Sequence, residues 1–194
     1  MGQIITAKLK LHTTPEQRAR LRQTQRAYRD GLNRVSRYAF DNGKISTASR
    51  LQKATNADLR ARYGLPAQMA CNIPRQVAAT YKGLWTKVKA NTKARTCGRT
   101  KKRYKGLDKP PTYRQPTLTY NYGRDYGFKS GGRVSVLTLE GRLMLPYSGY
   151  DTHAALIREG ATMGAAKLWY DKPKKRYYLL VSLAVKCPPP QRQT

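Results

Sequence analysis

The sequence predicts an α+β chain in which a small antiparallel β-barrel is interrupted, after its first strand, by a block of three helices. Three observations lead there. Residues 3–11 and several stretches beyond residue 117 alternate apolar and polar side chains, the two-residue period of a half-buried strand. Between them Met69, Ile73, Val77, Tyr81, Leu84 and Val88 recur three or four residues apart, which stacks them on one helix face. At 194 residues and 22.0 kDa the chain is long enough for one domain or two small interlocked ones.

In the opening strand Ile5, Ala7, Leu9 and Leu11 share one side, and Thr6, Lys8 and Lys10 make the other side basic. Thr14 as N-cap, Pro15 at the first helical position and Gln17 closing a capping box then start a helix. It should run to about Asn42 and end at Gly43, with Leu21, Tyr28, Leu32, Val35 and Ala39 inside. Arg18, Arg20, Arg22, Arg26 and Arg29 form its outer face, a row suited to phosphate. A second helix begins at Ser46 or Thr47, includes Leu51, Ala54 and Leu59, and is broken by Gly64-Leu65-Pro66. In the central stretch, residues 65–85, Gln68, Asn72 and Gln76 lie off the apolar face, with Lys82 and Lys89 further along. Amides and amines of that kind suit base edges and phosphates. Pro74 removes a helical donor, so either the helix kinks there or its regular part starts near Ile73.

Residues 93–114 carry Lys93, Arg95, Arg99, Lys101, Lys102, Arg103, Lys105, Lys109 and Arg114, with glycines and prolines interspersed and Asp108 the one acid. Such a stretch cannot build a core and is expected to be mobile until bound. Tyr104 and Tyr113 interleave the cations, and aromatic faces stack on unpaired bases. Residues 117–122 alternate, residues 133–139 and 142–145 meet as a hairpin across Glu140-Gly141, and residues 165–170 and 177–185 form a second hairpin. With the opening strand these suffice for a small barrel. Cys187-Pro188-Pro189-Pro190 stops the last strand and leads outward as a linker. The organisation expected is therefore 1–12 first barrel strand, 13–93 helices, 94–116 basic loop, 117–186 remaining barrel and 187–194 tail.

The formal net charge is +29, from 39 Lys+Arg against 10 Asp+Glu. A field so one-sided repels itself unless a polyanion neutralises it: nucleic acid, an acidic membrane or an acidic protein. No apolar run approaches the roughly 18 residues of a membrane span, and the N-terminus lacks the order of a signal peptide. Composition thus points to a cytoplasmic nucleic-acid binder with no membrane partner. Cys71, Cys97 and Cys187 are an odd number at unrelated spacings, giving neither a disulfide framework nor a zinc knuckle. His12 and His153 stand alone, and the acids are too scattered to converge on the ions of two-metal cleavage. No catalytic or metal-binding residue is predicted. The helix, turn, helix order also admits a stand-alone DNA-binding regulator.

Five segments occur in a recognisable order: Lys8-Leu9-Lys10-Leu11 with Thr14-Pro15-Glu16-Gln17 and the Arg-rich helix; Leu65-Pro66 with Asn72 and Ala79-x-Tyr81-Lys82-x-Leu84-Trp85; Pro111-Thr112-Tyr113-Arg114; Gly141-Arg142-Leu143-Met144-Leu145-Pro146; and Tyr177-Tyr178-Leu179-Leu180-Val181-Ser182-Leu183. Together they span essentially the whole chain. The order resembles the N-terminal half of the TnpB family, the RNA-guided nucleases of the IS200/IS605 transposons, which are related to compact Cas12 effectors. The resemblance implies a wedge domain, an OB-like barrel split by a helical recognition domain. It also implies a structured guide RNA as the bound cofactor, and a target DNA read only at a short adjacent motif.

Matching positions for that motif are Thr47, Ser49, Gln68, Cys71, Asn72, Thr119, Tyr120 and Asn121, with Gln76 beside them on the central helix. Cys71 replaces the glutamine common there, and Pro74 interrupts a helix that is usually unbroken. RNA or phosphate contacts are expected from Lys8, Lys10, Arg18, Arg22, Arg99, Lys101, Lys102, Arg103 and Arg114, with Tyr104 and Tyr113 stacking on bases. Family members continue into a RuvC nuclease fold where this sequence reaches Thr194. The expectation is a chain that binds RNA and DNA without cutting alone, as a split half, a truncated regulator or a fragment. A RuvC-containing polypeptide is the expected partner, and Mg²⁺ is expected only in that partner.

Overall fold

The alternation in residues 3–11 becomes β1 (Gly2–Leu11), with Ala7, Leu9 and Leu11 buried and Thr6 and Lys8 exposed. The computed structural model describes residues 2–115 and 117–186; the expected tail at 187–194, Cys187 included, lies outside them. β1 pairs antiparallel along its whole length with β7 (Arg176–Lys186), and at Lys10 and Leu11 with β5 (Gly141–Ser148). The first and last described strands are thus central neighbours, which is how a chain interrupted by helices still closes one sheet.

Both expected hairpins form. β4 (Arg133–Thr138) meets β5 through Leu139 and Glu140, with Gly141 at φ +92°, a conformation that favours glycine. β6 (Thr162–Asp171) meets β7 in the register Leu168↔Leu179. With β2 (Leu118–Tyr120) and β3 (Tyr126–Lys129), the strands form one antiparallel sheet ordered β2-β6-β7-β1-β5-β4-β3.

Consecutive β2 and β3 are therefore its two edges. Were the seven strands flat, six spacings of about 4.8 Å would separate those edges by roughly 29 Å. The six Cα steps from Tyr120 to Tyr126 reach about 21 Å at most, so the sheet must curl. The Tyr120 hydroxyl donates to the Leu137 carbonyl oxygen at 2.6 Å, and the Tyr126 hydroxyl to that of Gly164 at 2.7 Å, each crossing from one edge region to the other. A bulge in β6 between Met163 and Ala166 bends it toward closure. Among the described residues the fold is α+β, with a nearly closed seven-stranded antiparallel barrel and four helices.

α1 (Pro15–Asp41) starts with the expected capping box: the Thr14 N–H donates to Gln17 Oε1 at 3.0 Å and the Gln17 N–H to Thr14 Oγ1 at 3.2 Å. The chain divides into two compact units, one of Met1–Arg22 with Thr117–Thr194 and one of Gln23–Pro116. In the second unit α1 continues beside α2 (Ala48–Tyr63) and α3 (Ala67–Thr96). Leu51 and Leu59 of α2 are buried as expected, but Ala54 is exposed. Gly64 closes α2 at φ +60°, its N–H bonded to the Arg60 carbonyl oxygen.

α3 does not start near Ile73. It begins at Ala67, runs through a buried Pro74, and buries Met69, Ile73, Val77 and Tyr81 on the expected face. The described residues between α3 and β2 have neither helix nor strand, and amide and hydroxyl side chains on α1 and α3 hydrogen-bond to their backbone. Asn91 accepts from the Tyr104 N–H at 2.8 Å and donates to the Lys102 carbonyl oxygen at 3.0 Å; Ser36 donates to that of Pro111 at 2.7 Å. Asn33 bonds both backbone groups of Tyr113, and Leu107 is buried. Among the described residues no helix is long and apolar enough to cross a membrane.

Two short elements carry no legible sequence signal: four-residue β3, and α4 (Asp151–Arg158), eight residues between β5 and β6.

Candidate nucleic-acid interface

Outward positions on the barrel unit align in cross-strand rows. One row runs Lys10 on β1, Tyr178 on β7 and Trp169 on β6; the next runs Lys8, Leu180, Lys167 and Thr119. The two rows are adjacent because outward residues on one strand are two positions apart. Lys8 Nζ reaches diagonally across them, 4.5 Å from the Tyr178 ring centroid and 5.1 Å from that of Trp169. Those rings pack on each other at 5.5 Å and 32°; Trp169 is 36% exposed, whereas Tyr178 is only 9% exposed. The face thus sets lysine ammonium groups beside a partly exposed indole.

Trp169, Tyr178 and Lys167 are not among the site residues that the sequence predicts. A signal for them exists all the same: in β6 the inward positions are Ala166 and Leu168, so the same alternation turns an indole outward.

The first turns of α1 add a second basic element to this unit. Arg18 and Arg22 line a groove of about 410 Å³ with Pro15, Ala19, Tyr170 and Tyr177, whose rings stand 4.8 Å apart. Arg22 is exposed and Arg18 half-buried, so both predicted arginines face aromatic rings. Arg20, by contrast, is committed within the fold, paired with Glu140 at 3.1 Å and donating to the Glu140 carbonyl oxygen at 2.6 Å.

In the helical unit Arg99, Lys101, Lys102 and Arg114 are exposed, and Lys101 lines a shallow concavity with Arg95 at the end of α3. Arg103 is exposed but forms a two-bonded pair with Asp108 at 2.9 and 2.5 Å. That pairing holds the Asp108 carboxyl below its ordinary range and raises Arg103, so this guanidinium meets a phosphate already partnered.

The predicted stacking tyrosines are correspondingly engaged. The Tyr113 hydroxyl donates to Thr80 Oγ1 at 2.8 Å, burial pushes its pKa up, and Tyr104 is half-buried against Gly106. Both are half-buried, whereas Trp169 is 36% exposed.

The predicted motif readers divide in the same way. Thr47, at the N-cap of α2, and Ser49 are exposed. Gln68 is half-buried and donates to Asn72 Oδ1 at 3.2 Å, while Asn72 is only 7% exposed. Gln76 Oε1 accepts from the Tyr28 hydroxyl at 3.2 Å, and the half-exposed Cys71 sulfur accepts from Gln52 Nε2 at 3.3 Å and Asn56 Nδ2 at 3.5 Å. The polar row on α3 is thus largely spent on holding α1, α2 and α3 together. Tyr120 is corrected outright: it is fully buried, its hydroxyl bonded to Leu137, with no face turned to a base. Asn121 sits in the β2–β3 turn with its N–H bonded to Asp125 Oδ2, and Thr119 is half-exposed on the barrel edge beside Lys167.

His12 Nε2 lies 3.0 Å from Ser148 Oγ, and His153 packs edge-on against Tyr150. Among the described residues no group of three or more His, Cys, Asp or Glu side chains is placed to hold a metal ion. No protein-family model matches the chain, and no curated protein matches it.

Proposed function

We propose that the chain is the nucleic-acid-binding portion of an RNA-guided DNA-targeting nuclease of TnpB/Cas12 type. On this reading the barrel is an OB-like wedge domain and α1 to α3 form the inserted recognition domain. The chain holds a guide RNA and approaches a short target-adjacent DNA motif, and a RuvC-containing polypeptide supplies Mg²⁺-dependent cleavage. The observation that carries nucleic-acid binding is the outer barrel face, where Lys8 lies over the Tyr178 and Trp169 rings beside Lys10 and Lys167. Ten carboxylates cannot neutralise 39 cations, so a polyanion is the natural counter-charge. The RNA-guided context rests on the ordered segments from Lys8 to Leu183 that resemble the TnpB family.

The test is purification from the native host without nuclease, followed by RNA sequencing and mass spectrometry. One discrete structured RNA, together with a RuvC-containing polypeptide, is expected. Heterogeneous RNA or none, with the chain alone binding a defined duplex, overturns the reading.

The three-residue connection Gly64-Leu65-Pro66 between α2 and α3 favours a second reading, a helix-turn-helix DNA-binding regulator. Its signature is a footprint of two half-sites about one helical turn apart in the absence of RNA.

A further inference from the structure

At the end of the barrel where β3 and β5 stop and β6 begins, α4 roofs a groove of about 890 Å³. That volume is in the upper part of the roughly 300–1,000 Å³ usual for ligand sites, and the groove lies wholly within the barrel unit. Its wall is an aromatic series. Tyr122, Tyr126, Phe128 and Tyr147 follow one another with centroids 5.4, 6.0 and 5.2 Å apart, all edge-to-face. In each edge-to-face contact one ring's edge lies against its neighbour's face, so what the series offers a ligand is set by the exposure of each ring. Tyr126 is buried behind the wall, whereas Tyr122 is 47% exposed and Phe128 and Tyr147 are half-exposed.

The rim carries cations. Lys129 and Arg158 line the groove and are exposed. The β3–β4 turn beside it carries only the small Ser130 side chain, with Gly131 and Gly132 at φ +71° and +66°. Among the described lining residues the one carboxylate is Asp151, in the first turn of α4. A carboxylate repels phosphate but accepts from a sugar hydroxyl or a base amino group, so the backbone belongs on the Lys129 and Arg158 side.

We propose that this groove is a second nucleic-acid site, taking an unpaired RNA segment whose bases stack on Tyr122, Phe128 and Tyr147 and whose phosphates meet Lys129 and Arg158. The inference rests on the nucleic-acid reading above and deepens it. Ring faces in a groove select bases that have left a helix, since paired bases already stack on their neighbours. Asp151, as an acceptor for the 2′-hydroxyl, favours RNA over DNA.

Binding of the full chain to a fluorescent single-stranded oligouridine, a single-stranded oligothymidine and an RNA duplex tests it. Tyr122→Ala should lower oligouridine affinity about 5- to 150-fold, the range for loss of one base stack, and leave the duplex unchanged. If Tyr122→Ala lowers the melting temperature, Lys129→Glu with Arg158→Glu decides instead, both positions being exposed; it should reduce oligouridine binding and its salt dependence. Unchanged oligouridine affinity in these variants, with the wild type binding well, overturns the groove and leaves nucleic-acid binding standing. Wild-type chain that binds none of the three probes at low salt overturns nucleic-acid binding itself. Equal affinity for oligothymidine overturns the RNA preference, and a photocrosslink from thiouridine RNA that maps away from the Tyr122 and Tyr147 peptides overturns the placement.

Discussion

The Lys8 ammonium lies 4.5 Å from the centre of the Tyr178 ring although the two residues are far apart in the chain. The cause is register. β1 and β7 pair over ten residues, setting Lys10 opposite Tyr178 and Lys8 one outward position away. The Lys8 ammonium thus stands over one ring and near a second, and on the proposed function this face meets a base and its phosphate.

The first prediction follows from that surface. Trp169→Ala should weaken single-stranded nucleic-acid binding by about 1–3 kcal/mol, the usual loss for one stacking platform, and Trp169→Phe should restore most of it. The chain has two tryptophans, so a Trp85→Phe background leaves Trp169 as reporter, and its fluorescence should be quenched on titration with oligonucleotide. Unquenched fluorescence with wild-type affinity in Trp169→Ala removes this face from the interface.

Lys101 and Lys102 are exposed lysines just beyond the end of α3, and on the proposed function they meet phosphate as point charges. Lys101→Ala with Lys102→Ala should therefore weaken all sequences alike. The salt dependence of the binding constant should become shallower, by about 0.7 in log–log slope for each single-strand phosphate that the protein no longer neutralises. An altered sequence preference at unchanged slope contradicts a phosphate role.

Gly31 of α1 faces both other helices. A Cβ there would stand 2.9 Å from Ile73 Cδ1 and 3.0 Å from Leu59 Cδ2. Gly31→Ala gains about 1 kcal/mol of helix propensity, set against roughly 1–3 kcal/mol for overpacking, so a net loss of up to about 2 kcal/mol is expected in denaturant unfolding. Ile73→Val removes the Cδ1 atom in question, and in the double variant the two changes should be less than additive in their cost. Strict additivity would show that the helices do not meet at Gly31.

Burial raises Tyr81, Tyr113, Tyr120, Tyr126 and Tyr147 above their ordinary 10.0, most strongly Tyr120. The unfolded chain ionises its tyrosines near pH 10, whereas the folded chain keeps these protons to higher pH. Unfolding then releases protons, so their contribution is intact below pH 10 and is lost as pH rises beyond it. Between pH 9 and 11 the melting temperature of Tyr120→Phe should depend less on pH than that of the wild type. Identical slopes would mean that Tyr120 is accessible to hydroxide in the folded chain.

The sequence by itself determined the local order of this protein. The Thr14–Gln17 box, the stops at Gly43 and Gly64, the apolar face of α3 and the two β-hairpins follow from periods of 2 and 3.6 residues and from cap chemistry, which act between near neighbours. It also determined the excess of positive charge. The four residues of β3 and the eight of α4 are too short for either period to emerge. Which polar residues remain free was decided only by the tertiary structure. Asn33, Asn91 and Ser36 hold a basic loop whose composition reads as mobile, Asn72 and Gln76 are drawn into helix packing, and Tyr120 turns inward to close the barrel. Trp169 and Tyr178 become a surface with Lys8 only because β6, β7 and β1 lie side by side. A side chain's hydrogen-bond partners are chosen by what folding brings within about 3 Å, and at sequence separations such as Asn33 to Tyr113 no local pattern records that choice.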